Sequence, residues 1–231
     1  MKFRPLSPWI MGSSSVTPNN FYIDNKPELS MGAFIALDIA TDLHLAHTVP
    51  TGTLKSSWKE NQTYIKKACA IADTGEENGF DLDGEDKLNI LEELGEPPEC
   101  SYNIYFITIY DESEEKVVYI GKTDSKSGRF SNGHLAALKL HNPKYLSYQK
   151  RVYFGTITLL SENKAYVPLE FVTPYENAKR YLNGAEAFLI AHFDPELNVR
   201  KEKMGIFEGV SQIHIQNFSG VSDFMKDYLV C

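Results

Sequence analysis

The chain reads as an α+β protein: a small antiparallel sheet flanked by helices, preceded by a mainly helical N-terminal extension. Three observations carry that expectation. Residues 103–110 (NIYFITIY) and 116–121 (KVVYIG) are rich in β-branched and aromatic residues and flank the charged turn DESEE, the pattern of a hairpin. Residues 176–193 place apolar side chains at helical spacing and stop short of Pro195. Leu29–Thr48 and Leu54–Asp73 show helical spacing too, with Pro50 and Gly52 breaking between them, which predicts a helical pair.

Taken in order, residues 1–28 are rich in Pro, Ser and Asn and read as extended or loop. After the helical pair, an acidic segment, 73–99, holds a short helix around Lys87–Leu94 and ends at Pro97-Pro98, a boundary signal. The hairpin follows, with Tyr105, Ile107 and Ile109 on one face of its first strand and Tyr119 and Gly121 on one face of its second. A helix from about Ser131 to His141, a strand Val152–Leu160, an extended piece Tyr166–Val172 and the helix Glu176–Phe193 complete a β-β-α-β-(β)-α order. The tail suggests a strand, Gln212–Ile215, and a short terminal helix. The chain thus divides by composition into an acidic N-terminal region (1–100), a core (101–200) and a C-terminal extension (201–231).

A content of 42% hydrophobic and 23% charged residues is that of a folded globular protein and excludes disordered and collagen-like classes. Cys69, Cys100 and Cys231 are odd in number and far apart, so neither a disulfide framework nor a CxxC metal site is expected, and a reducing cytoplasm fits. The most apolar early segment, Leu29–Val49, carries two aspartates and two histidines and follows no basic leader. It reads as a buried helix, with no membrane partner.

The net charge of −8 argues mildly against a nucleic-acid partner, but its distribution argues for one. Residues 1–100 hold 8 basic and 16 acidic side chains, whereas 122–151 hold seven cations against Asp124 alone. A local excess of that kind suits a polyanion, and equally a solvated surface helix.

Two motifs fail on spacing. Gly121-Lys122-Thr123 matches the end of a P-loop, but the first glycine of G-x-x-x-x-G-K-[ST] is replaced by Lys116. DLDGEDKLNILE places Asp81, Asp83, Glu85, Asn89 and Glu92 at EF-hand ligand positions, but Asp86 stands where the sharp turn needs glycine. An acidic helix start, favoured by the helix dipole, accounts for it better.

A third series runs through the core: Asn103-Ile104-Tyr105, Tyr119-Ile120-Gly121, Arg129, His134, Glu186 and Asn198. Together these residues resemble the GIY-YIG nuclease family over about residues 101–200. Asn103 replaces the first glycine, and His134 follows Arg129 by five residues where the family commonly spaces them by four. The resemblance implies a divalent-metal-dependent endonuclease acting on DNA, double-stranded and of restriction or mobile-element type. It makes Tyr105 the acceptor of the attacking water's proton, with Tyr119 in support. Arg129 would grip the scissile phosphate, with Lys122 and Lys126 as further phosphate contacts. Glu186 would bind one Mg²⁺ or Mn²⁺, and Asn198 would hydrogen-bond near the metal or the base. A homodimer would serve to cut both strands. Open beside this reading are a non-catalytic nucleic-acid-binding module and a structure-specific repair or RNA-cleaving nuclease.

Overall fold

The computed structural model describes residues 4, 6, 32–73, 82–124, 130, 133–160, 166–198 and 210–231. Its centre is a seven-stranded sheet. The strands are β1 (Gly32–Asp42), β2 (Ile104–Tyr110), β3 (Glu115–Lys122), β4 (Gln149–Leu160), β5 (Tyr166–Pro168), β6 (Ile213–Asn217) and β7 (Tyr228–Val230). They lie in the order β3-β2-β4-β1-β6-β7, with β5 also paired to β4. The helices are α1 (Leu54–Ile71), α2 (Gly84–Leu94), α3 (Leu135–Lys139) and α4 (Tyr175–Phe193), with 3-10 turns at Leu43–Thr48, Pro143–Tyr145 and Leu169–Phe171.

The α+β class holds, but the sheet is larger than expected and mixed. Its centre contains β1, where the sequence predicts the helix Leu29–Thr48. Ala33, Ile35 and Leu37 are buried on one face while Phe34 and Ala36 are half-buried on the other, so apolar residues fill both faces and the period of two is masked. β1 pairs antiparallel with β4 and parallel with β6, so strands from all three compositional segments share one sheet. The tail ends in β7, paired with β6, where a short helix is expected. The extended piece 166–172 splits into β5 and a 3-10 turn, and the helix expected over 131–141 is confined to α3.

The sheet separates two cores. On one side Ile35, Phe106, Ile120 and Tyr153 pack with Leu54 and Ile65 of α1, Ile90 of α2 and Leu182 and Leu189 of α4. On the other, Tyr105, Ile107, Val118 and Phe154 pack with Ala136, Leu140, Tyr145 and Leu197. The alternation along β2 puts Ile104 and Phe106 in the first core and Tyr105 and Ile107 in the second. A bulge between the pairs Ile107↔Tyr119 and Thr108↔Val117 leaves Val118 as the extra residue of β3. No described helix is long and apolar enough to cross a membrane. The three cysteines are thiols, with no disulfide among them.

Candidate active site

The C-terminal end of β3 organises the site. Gly121 lies opposite Tyr105 in the hairpin, and a Cβ there would sit 2.4 Å from the Tyr105 hydroxyl oxygen and 2.8 Å from Tyr119 Cε1. Real side chains never tolerate such approaches. The glycine is therefore required because two tyrosine rings converge over it, which replaces the P-loop explanation for the same residue. The rings of Tyr105 and Tyr119 stack at 6.1 Å between centroids.

His134 closes this group. Its ring lies edge-on to both tyrosines, and its Nε2 is 2.8 Å from the Tyr105 hydroxyl. His134 is the N-cap of α3, not a residue of the helix body, and its Nδ1 accepts from the Ala137 N–H. A neutral ring whose Nδ1 accepts carries its proton on Nε2, so Nε2–H donates to the Tyr105 oxygen. The extra residue before it is Gly133, at φ +82°, a left-handed turn that glycine adopts without strain. The longer spacing from Arg129 is thus absorbed before the helix starts. Phe130, which sequence reasoning did not single out, stacks on His134 at 4.9 Å and 8° and packs edge-on against Tyr105.

The next residue of β3 points the other way. Lys122 Nζ donates to Glu186 Oε2, across the sheet's other face from the tyrosines, and the two side chains are 23% and 18% exposed. Glu186 is held there because its helix neighbours Leu182 and Leu189 are fully buried in the first core. Asp124, two residues on, accepts from the Tyr175 hydroxyl and pairs with Lys179 at 3.4 Å, so α4 is tied to the end of β3 at three points along one face. Burial, and then Asp124 beside it, raise the Tyr175 phenol above its ordinary value. Neither Asp124 nor Tyr175 is signalled by any motif, because their pairing spans the chain.

Asn198 is bonded to the strand that carries the tyrosine pair. Its Oδ1 accepts from the Ile120 N–H at 3.0 Å and its Nδ2 donates to the Ile120 carbonyl at 2.8 Å, with Leu197 N–H donating to the Val118 carbonyl at 3.0 Å. The amide fixes the strand that carries Tyr119 and Gly121, which makes it a positioning residue. Asn103, in place of the first motif glycine, is fully buried and its Oδ1 accepts from the Ile157 N–H on β4. Arg129 and Lys126 lie outside the described residues.

The EF-hand reading does not survive. Asp83 accepts from the Glu85 and Asp86 N–H groups while Asp86 accepts from the Asp83 N–H, a capping box that uses both carboxylates to start α2. Asp81 lies outside the described residues. Among those described, no group of three or more His, Cys, Asp or Glu side chains is placed to hold a metal. The Glu186 carboxylate is a hard oxygen donor of the kind that holds Mg²⁺ or Mn²⁺ when water and phosphate complete the shell. Comparison with family models, with curated proteins and with solved structures finds no match.

Proposed function

We propose that the protein is a divalent-metal-dependent endonuclease of GIY-YIG type, hydrolysing DNA phosphodiester bonds with restriction-type sequence specificity. The observation that carries this is the convergence of Tyr105, Tyr119 and His134 over Gly121. At the same strand end the next residue, Lys122, holds Glu186 on the opposite face, so a phosphate at the tip of β3 would meet the two groups from either side. A phosphodiester resists water because it is an anion, so a nuclease must raise a nucleophile and neutralise charge as it develops.

The chain has a group for each need. A tyrosine is a poor base at neutral pH unless its phenolate is stabilised, and a hydrogen bond donated by His134 Nε2–H to the Tyr105 oxygen favours that form. Tyr105 is fully buried and Tyr119, stacked on it, is half-buried, so Tyr119 is the ring of the pair that solvent reaches. Lys122 has three N–H donors and spends one on Glu186, leaving two for a phosphate oxygen. Arg129 supplies a second, planar donor fork. Glu186 would hold the divalent ion, which when bound supplies charge stabilisation at the leaving oxygen.

The complete burial of Tyr105 favours a second reading, a nucleic-acid-binding module that does not cut. Plasmid cleavage separates the two. Supercoiled DNA incubated with the protein is expected to yield discrete fragments with Mg²⁺ and none with EDTA or with Glu186→Ala. Tyr105→Phe, which keeps the ring over Gly121 but removes the hydroxyl, and Arg129→Ala are each expected to slow cleavage about a hundredfold. No metal-dependent cleavage of any DNA or RNA would sink the enzyme reading.

A further inference from the structure

The start of α1 is built onto the site. The Leu54 N–H donates to the Thr123 carbonyl at 3.1 Å and the Lys55 N–H to the Asp124 carbonyl at 2.9 Å, so the helix begins on the two residues after Lys122. Trp58 then fixes its rotation: the indole N–H donates to the Val172 carbonyl at 2.7 Å and the ring packs edge-on against Tyr175 at 5.7 Å. Gln62 donates to the Glu170 carbonyl from the same edge.

Beside that edge, Lys55, Lys59 and Lys66 are all exposed. At about 100° per residue they fall within an arc of roughly 40°, in a row about 16 Å long. None has a carboxylate within ion-pair distance among the described residues. The nearby acids are engaged or off the row. Asp124 is held by Tyr175 and Lys179, and Glu60 accepts from Ser56 about 100° further round the helix than Lys59. Glu176, exposed in the first turn of α4, pairs with no lysine of the row.

We propose that this row is a second wall for the DNA backbone, running from the candidate site along α1. Duplex DNA carries a phosphate about every 3.4 Å along each strand, so the row spans about five of them. Charge complementarity and the row's start at the backbone of Thr123 and Asp124, just after Lys122, select a nucleic-acid backbone as the occupant. The inference rests on the nuclease reading, from which it takes the substrate, and it assigns a role to residues from the acidic half of the chain.

The test is the salt dependence of binding to a fluorescein-labelled 24-bp duplex in EDTA, followed by anisotropy. Lys55→Gln/Lys59→Gln/Lys66→Gln is expected to lower the slope of log K against log[salt] by about 2 to 3, at roughly 0.9 for each phosphate no longer neutralised. The arginine version of the triple variant keeps the charge and is expected to keep the slope, which separates lost charge from lost fold. If the wild type binds and the glutamine variant retains its slope, the row is not a DNA wall and the nuclease reading is untouched. If the wild type binds no DNA, both fall.

Discussion

Two basic regions of this molecule behave in opposite ways. Residues 122–151 carry six more positive than negative side chains, yet Lys122, Lys144 and Arg151 each meet a carboxylate from outside the stretch: Glu186, Glu196 and Glu115. Helix α1 lies in the acidic half, yet Lys55, Lys59 and Lys66 face solvent with no such partner among the described residues. A charge count along a chain is thus a poor map of the field around it. The fold brings carboxylates from α4, the turn after it and β3 to the basic stretch and leaves the lysine row of α1 alone.

The comparison can be broken or sharpened by stability measurements, starting with the largest effect. Arg151 and Glu115 pair at 3.0 Å with side chains 11% and 12% exposed, and Glu115 also accepts from Thr108 and Tyr153. Glu115→Ala strands a buried guanidinium and is expected to cost about 3 kcal/mol in denaturant unfolding. A loss below about 0.5 kcal/mol would show that the compensation matters little.

Asp38 is the converse, a carboxylate in the β1 bulge whose Oδ2 is buried with no hydrogen-bond partner among the described residues. Burial pushes it from 3.8 up to about 6. Its folded value lies above its unfolded one, so the native state weakens as pH rises from about 3.8 through 6. Asp38→Asn is expected to stabilise the protein at pH 7 by about 1 to 2 kcal/mol, a gain that vanishes below about pH 4. An equal gain at both pH values would assign the effect to packing.

The smallest effect belongs to the exposed pair Lys144–Glu196. Hydrogen bonds from Lys144 and then Tyr145 hold the Glu196 carboxyl below its ordinary 4.5. That contribution is present above pH 4.5 and is lost as pH falls through the lowered value. Solvent screening leaves it slight, so Lys144→Ala is expected to unfold within error of the wild type at pH 7. A clear destabilisation there would mean that this surface pair does more than neutralise charge.

What could be read from the sequence follows the range of the interaction. The hairpin, α1 and α4 announce themselves through local periodicity, and Tyr105, Tyr119 and Glu186 through their place in it. β1 is hidden because apolar residues on both of its faces, one buried and one half-buried, make an almost unbroken apolar run. The approach of His134 to Tyr105 depends on a left-handed Gly133 and a cap, which spacing alone assigns to the wrong helix face. Phe130, Asp124 and Tyr175 carry no sequence signal because each acts through a partner distant along the chain.

The way Leu197 and Asn198 bind β3 has a further consequence. β3 is one of the two outermost strands of the sheet, and open outer strands invite pairing with other chains. Here the Val118 carbonyl and both backbone groups of Ile120 are already taken from the outside. A second copy could not extend the sheet at this rim without displacing them, so strand addition between subunits would have to use another edge, at β7 or β5. The same loop holds the aromatic end of the hairpin in register.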